Sequence, residues 1–456
     1  MTPPDPSVGS SDQPEQLPLR TNIIWSSTGS LTKTMCNWLI TIAAVRLSSG
    51  FDTAGVLALA MSISNLVVPI AEYRLRTVQV TDVRGEHTAR QYLGMRVLSS
   101  AAAMIIGAVY TLVTSKLSLF LVITVYCASQ VIATFLEGFH ATEQRHMRMD
   151  YIGISYLLQG GGGLIAFIVG ISLLDSLLAA VSLLTLITLV IAVAYDIPRA
   201  RRFGSIRPVI DWRDAGLTFA RLFPLAMVTA ALSVVTLVPR QYLDTHLGSE
   251  ALGIYASVAV PAVIIQASAA YIYTPILGRL IELLTTRKRK ALTLLARILA
   301  LFIGVGALAA IAFRIAGEWF LTLLFGAQIA PYTYLIQPAL VLSLITAFVW
   351  FANDILLGLR DYLGCFLGGV VAAGVTVLIT GPFTRIFGLN APSAVGIAAS
   401  VSALALMGWF FARDYSPPML HGGCRRLRCP RAQAEPSRRP VSSPGRRPAA
   451  TRKALP

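Results

Sequence analysis

"VRLSSGFDTAGVLALA", Val45 to Ala60, is echoed by "PRQYLDTHLGSEALGIYAS", Pro239 to Ser257. Arg46 aligns with Arg240. After four extra residues in the second copy, Asp52 aligns with Glu250, Gly55 with Gly253 and Ala58 with Ala256. Each copy bridges the end of one apolar run and the start of the next. Six apolar runs separate the copies, and an even number gives both the same direction across a bilayer. A parallel repeat of this kind predicts two halves related by a pseudo-two-fold axis along the membrane normal, with a site between them.

The rest of the chain supports a membrane setting. Of its 456 residues, 55% are hydrophobic and 13% are charged, whereas a soluble domain carries roughly 25% charged residues. Runs near the bilayer-spanning length of about 20 residues recur throughout. Twelve spans are expected, at 22–45, 51–71, 95–115, 117–138, 150–172, 175–195, 217–240, 251–277, 292–315, 333–353, 363–383 and 391–412. The fold class is therefore an all-α polytopic bundle of two six-helix halves, 22–195 and 217–412. A basic linker, 196–216, joins them. Polar, proline-rich residues 1–21 and basic, low-complexity residues 413–456 read as disordered tails.

A net charge of +16 would suggest nucleic acid in a soluble protein, but its placement gives another reading. From Arg413 onward, eleven Lys/Arg face Asp414 and Glu435, a net +9. The other basic residues fall mostly in alternate loops. One set holds Arg74, Arg76, Arg84 and Arg90, then Arg145 and Arg148, the run Arg199 to Arg213, "RKRK" at Arg287 to Lys290, and Arg360. The opposite set holds single residues: Arg46, Lys116, Arg240, Arg314 and Arg385. Basic loops stay in the cytoplasm, so both termini are expected there, and no nucleic-acid partner is expected.

Polar residues inside the spans point to a cavity. Lys33 lies mid-span in the first run, where a charge costs about 2.5–3.5 kcal/mol even on the insertion scale. Ser26, Ser30, Asn37 and Thr41 share its face at helical spacing. Span two places Ser62, Asn65, Pro69, Glu72 and Arg76 on one face. Span four carries Tyr126, Gln130 and Glu137; span seven carries Thr229, Ser233, Thr236 and Arg240. Gln266 and Tyr273 lie in span eight, and Ser343, Trp350 and Asp354 in span ten. Serines and threonines commonly join membrane helices by hydrogen bonds, whereas a lysine at this depth points to a functional cavity. "GGGG" at Gly160 to Gly163 serves either close packing or a hinge.

Several chemistries lack their signatures. There is no G-x-x-x-x-G-K-[ST] loop, H-E-x-x-H helix or G-x-S-x-G elbow. The five cysteines form no disulfide framework, and Cys424, Cys429 and His421 are too few for a metal site. The histidines are scattered and mostly assigned to loops. No loop exceeds about 25 residues, which leaves no room for a soluble catalytic domain.

Four stretches carry a family resemblance over about residues 20–412: "AGVLALAMSI" (Ala54 to Ile63), "EYRLRTVQVTDVRGEHTARQYLGMR" (Glu72 to Arg96), "EALGIYAS" (Glu250 to Ser257) and "LTLLFG" (Leu321 to Gly326). They resemble the polysaccharide-transport (Wzx-type) flippases of the multidrug/oligosaccharidyl-lipid/polysaccharide exporter superfamily. The second is the most telling, with its V-x-V-T-D core at Val78 to Asp82. "AQIAPYTYL", after Gly326, departs from the pattern.

The resemblance implies a transporter, not an enzyme. It would move an undecaprenyl-diphosphate-linked oligosaccharide across the bacterial cytoplasmic membrane by alternating access, for exopolysaccharide or surface-glycan assembly. Membrane lipids, a glycan polymerase and glycosyltransferases are the implied partners. No cofactor is expected, and a proton or sodium gradient would supply the coupling. Lys33, Asn37, Asn65, Arg46, Arg240 and Gln266 are the expected cavity residues. Glu72, Arg76, Glu137 and Asp354 are the candidates for coupling or gating. A cation-coupled drug exporter of the same superfamily is the alternative, and an intramembrane glycan polymerase or ligase the more distant one.

Overall fold

Apolar runs of this length leave the backbone one way to satisfy its amides in hydrocarbon, which is the helix. A computed structural model of the chain describes residues 16–48, 50–82 and 85–415. Most of the two expected tails, Arg84, His421, Cys424 and Cys429 lie outside the described residues. The elements are α1 (Leu19–Arg46), α2 (Phe51–Glu72), α3 (Leu75–Thr81), α4 (Ala89–Thr114), α5 (Leu117–Arg145), α6 (Met149–Leu174) and α7 (Leu177–Ile191). A π-helical turn, Ala192–Asp196, leads into the short α8 (Ile197–Ala200). The second half contains α9 (Trp212–Leu247), α10 (Ser249–Thr286), α11 (Lys288–Phe325), α12 (Ile336–Gly358), α13 (Tyr362–Phe387) and α14 (Ala391–Tyr415).

Among the described residues, ten segments are long and apolar enough to cross a membrane; one of them, Tyr362–Arg413, contains both α13 and α14. Helix α1 is not among the ten, consistent with the polar stripe around Lys33 that dilutes its apolarity. Large side chains on the outer faces remain exposed, as hydrocarbon requires: Val113, Leu173 and Ile315 are more than three-quarters exposed.

The repeat is visible in the packing. Helix α1 lies along α6 as α9 lies along α13, and α2 packs on α5 as α10 packs on α12. The two copies of the repeat then meet each other, since α2 packs on α10. Their aligned glycines make the crossing: a Cβ on Gly55 would land on the Ser249 carbonyl oxygen, and one on Gly253 on that of Phe51. Only glycine permits backbones this close. The apolar core runs through the crossing, with Leu57, Ile63, Leu252 and Val258 fully buried.

The basic loops share one end of the bundle, where the start of α1 also lies. Asn22, fully buried, donates from Nδ2 to the Leu17 and Met147 carbonyls at 2.9 Å each, and its Oδ1 accepts the Met149 N–H at 2.8 Å. One side chain thus holds the entry of α1 against the α5–α6 turn.

The charged stretch after α2 is more structured than a loop. The expected single polar face from Ser62 to Arg76 is broken, because Tyr73 and Arg74 are both left-handed, with φ of 44° and 56°. Two such residues in succession end a helix and turn the chain. Leu75, wholly buried, and Tyr73 hold the turn in place; the Tyr73 hydroxyl donates to the Phe219 carbonyl at 3.2 Å and its ring meets Phe219 edge-on. Asp82 then receives the N–H groups of Glu86 (3.0 Å) and His87 (3.2 Å) and the Tyr92 hydroxyl (3.2 Å). Burial opposes ionisation of this carboxyl, but those donors outweigh it and hold it below its ordinary value. Thr88 and Gln91 close a capping box that starts α4.

Candidate functional site

Lys33 sits near the middle of α1, half-buried and turned toward α6. Its approach is set by glycine: a Cβ on Gly160 would lie 2.8 Å from the Lys33 Cα. Helix α6 runs unbroken through Gly160 to Gly163, so the first of these residues provides close contact. The Lys33 ammonium donates to Gln159 Oε1 at 2.8 Å and lies 4.8 Å from the centre of the Tyr156 ring. Gln159 in turn donates to Ser155 Oγ at 2.9 Å, which fixes its amide with the oxygen toward the lysine. Among the described residues, no carboxylate lies within ion-pair distance of Lys33.

Tyr156 connects this lysine to a second group of charges. Its hydroxyl donates to Glu137 Oε1 at 2.7 Å and accepts from Arg76 Nη1 at 3.0 Å. Arg76 also pairs with Glu137 Oε2 and donates to Gln144 Oε1 at 3.1 Å. The turn at Tyr73 and Arg74 makes this contact available, because it redirects α3 across α5. Lys33, expected in the cavity, and Arg76 and Glu137, expected in coupling or gating, therefore belong to one network spanning α1, α3, α5 and α6.

The other expected residues lie elsewhere. Arg240 donates to Ser62 Oγ at 3.2 Å, joining α9 of the second half to α2 of the first. Asn65 has an exposed side chain, and its carbonyl accepts from Ser233 Oγ at 2.8 Å across the same interface. The Arg46 guanidinium is taken up by the last turn of α11: it donates to the carbonyls of Leu324 (2.8 Å), Thr322 (3.3 Å) and Leu323. A cation at a helix C-terminus satisfies orphan carbonyls and the helix dipole together. Asn37 is exposed one turn beyond Lys33, Gln266 is half-buried on α10, and Glu72 is half-buried at the end of α2. Asp354 accepts the Tyr273 hydroxyl at 2.8 Å, in the second half.

The sequence reading omitted Tyr156, Gln159, His140, Glu143, Asp196 and Arg96. His140 is fully buried, not in a loop. Helix α5 extends to Arg145, seven residues past the expected span end at 138. The face bearing Tyr126, Gln130 and Glu137 therefore continues through His140 and Gln144, a pattern that spacing alone could have extended. Arg96 is fully buried on α4 and donates to the Thr134 carbonyl at 2.7 Å. Its position in a dense run of charge gave no sign of burial.

An apolar space lies at the interface of the two halves. A cavity of about 860 Å³ lies between α2, α9 and α13, lined by Leu66, Met227, Ala231, Val234, Phe366 and Val370 among others. It adjoins the Asn65–Ser233 contact in sequence and structure.

No family model matches the chain, and no curated protein matches it. Solved structures do. One, described as the inward-facing conformation of a multidrug resistance MATE family transporter of the MOP superfamily, superposes with a TM-score of 0.66 at 12% identity. That match covers 86% of this chain and 98% of that one. A Vibrio cholerae MATE transporter, VcmN, gives a TM-score of 0.57 at 11% identity over 87% of this chain and 97% of that one. A MOP superfamily transporter from Pyrococcus furiosus gives 0.54 at 15% identity, covering 86% and 94% respectively; its description reports reversed polarity of the binding pocket. The chain has the fold of the MATE transporters of the MOP superfamily.

Proposed function

We propose that the chain is an alternating-access transporter for an anionic, lipid-linked substrate, with a diphosphate-linked oligosaccharide as the class that fits best. The observation that carries this reading is Lys33. It is a cation inside a spanning helix, bonded to a neutral amide oxygen and without a carboxylate partner among the described residues. An anion approaching it gains a charge-assisted hydrogen bond in a poorly screened setting. Arg240, on the α2–α9 interface, adds a second cation between the halves. The apolar cavity between α2, α9 and α13, which adjoins the Asn65–Ser233 contact between the halves, offers hydrocarbon a place, as a polyprenyl chain requires.

The polar bonds that join the two halves are the candidates for making and breaking in alternating access. The Gly55–Gly253 crossing and the Arg46 bonds to α11 lie at the end away from the basic loops. The fit to the structure described as inward-facing, TM-score 0.66, exceeds that to one described as outward-facing, 0.54. With basic loops in the cytoplasm, this reading takes those contacts as the outer closure of the transporter. The host membrane would be a bacterial cytoplasmic membrane, with a proton or sodium gradient as the coupling source.

A second reading fits at least as well on the comparisons: export of small molecules, as the names of the neighbours state for those proteins. Vesicles containing the purified chain separate the two. A fluorescent polyprenyl-diphosphate oligosaccharide should cross from one leaflet to the other. Lys33→Ala should slow this about tenfold or more, and Lys33→Arg should retain more of the rate. Efflux of organic cations with no lipid translocation would replace the first reading with the second.

A further inference from the structure

The transport reading uses Lys33 and leaves a neighbouring cluster unexplained. One turn beyond Glu137 on α5, His140 is fully buried, and Glu143, a further turn along, is 1% exposed. Asp196 enters from the π-helical turn that ends α7, also at 1% exposure. A π-turn adds one residue to the helical count and rotates the residues beyond it by about 100°. Such turns often mark functional positions in helices.

The imidazole lies between carboxylates. His140 Nδ1 is 3.6 Å from Glu137 Oε1, and Nε2 is 3.5 Å from Asp196 Oδ1. A neutral imidazole has one N–H and one lone pair. With both nitrogens facing carboxylate oxygens, a neutral ring must direct its lone pair at an anion. One added proton, on the ring or on a facing carboxyl, removes that conflict. Both ring nitrogens of His140 and all four carboxylate oxygens of Glu143 and Asp196 lack a hydrogen-bond partner among the described residues. Six unpaired buried polar atoms in one place are costly and call for an explanation.

We propose that His140, Glu143 and Asp196 form a proton-binding site, connected through Glu137 and Tyr156 to Lys33. On this assignment one proton enters from water and is held between the imidazole and the facing carboxylates. Its movement between His140 Nε2 and Asp196 Oδ1 makes and breaks only N–H and O–H bonds. Glu137 links the site to Tyr156, whose ring also stands edge-on to His140 at 5.3 Å and beneath the Lys33 ammonium. A change of charge at His140 thus reaches the lysine through two side chains.

The other charged groups around the cluster are Arg76 from α3, Arg96 from α4, Asp150 at the start of α6, and Tyr195 and Arg199 on either side of the α7–α8 junction. Asp150 pairs with Arg148 at 2.8 Å, and Arg199 stacks on Tyr195 at 4.9 Å. Arg76 is committed to Glu137. Among the described residues, no His, Cys, Asp and Glu group has an arrangement that could hold a metal ion, which favours a proton over a metal cation.

Only the coupling role of this site rests on the transport reading; proton binding does not, and the experiment measures binding directly. Full-length protein with ¹⁵N-labelled histidine rings, in lipid bilayers, is followed by NMR from about pH 5 to about pH 9. The His140 signal is identified by its loss in His140→Gln. Expected are an imidazolium signature at neutral pH, its loss in a single step as pH rises, and its absence at neutral pH in Asp196→Asn. Asp196→Glu, which keeps the carboxylate, should restore it. A single neutral tautomer across the whole range, or a signal indifferent to Asp196→Asn, would overturn the proposal. So would a signal that responds to added sodium at constant pH. Failure of the vesicle transport assay with this titration intact would count against the transport reading alone.

Discussion

The same pair of helices carries an acid in each half, and the two acids are treated differently. In the first half, Glu137 of α5 faces Arg76, which comes after α2 in the chain, and the two form an ion pair tied to Tyr156. In the second, Asp354 of α12 faces Tyr273 of α10, which offers one phenolic hydrogen bond at 2.8 Å. The chain path explains the difference. Helix α2 breaks at Tyr73 and Arg74 and sends α3 across α5, whereas α10 runs unbroken from Ser249 to Thr286. The repeat supplies a common scaffold, and one pair of left-handed residues adds a guanidinium to half of it.

The scaffold itself should respond symmetrically. Gly55→Val and Gly253→Val each force a side chain into an opposing backbone and should each cost about 3 kcal/mol or more, read as lowered melting temperature and yield of the purified protein. A large loss at one position with none at the other would break the equivalence of the two halves.

The acids should respond unequally. Glu137→Gln leaves Arg76 without its counter-charge and should cost about 3 kcal/mol. The double variant Arg76→Gln/Glu137→Gln should lose less than the sum of the single variants, since each alone strands a partner. Tyr273→Phe removes one hydrogen bond and should cost about 1 kcal/mol in the same melting assay. Equal losses at Glu137 and Tyr273 would erase the contrast.

The smallest expected effect is local. The Asp82 carboxyl is held below its ordinary value in the folded chain: burial opposes ionisation, but the N–H groups of Glu86 and His87 outweigh it. Its stabilising contribution is therefore complete above the unfolded value of around 4 and is lost as pH falls through the lower folded value. Protection of the Glu86 and His87 amides from hydrogen exchange, relative to the intrinsic rate at each pH, should fall on acidification in the wild type. Asp82→Asn should remove that pH dependence at a cost below about 1 kcal/mol. Acid-insensitive protection in the wild type would mean that these bonds do not hold the turn.

Much of this was legible in the residues, for reasons that can be stated one by one. The all-helical, many-spanning plan came from apolar run length, because hydrocarbon forces each run to satisfy its own backbone; of the twelve spans expected, α1 is not among the ten apolar segments. The two-half plan came from Gly55 and Gly253, whose alignment anticipated that they are equivalent; that they touch each other was not visible. Lys33 was conspicuous because a charge at that depth is costly. Gln159 and Tyr156 were not, since a glutamine and a tyrosine in a span have many ordinary uses. His140 was assigned outside a span because the apolar count stopped at 138, while the helix continues to Arg145.

The sequence by itself determined that long apolar helices cross the membrane repeatedly and that the two halves repeat, since these depend on composition and spacing along one dimension. Only the tertiary structure decided that Arg46 would be spent on the α11 carbonyls, that Arg76 would meet Glu137, and that a π-turn would bring Asp196 opposite His140. Those outcomes depend on where backbone turns aim side chains across helices far apart in sequence, and residue order does not record that geometry.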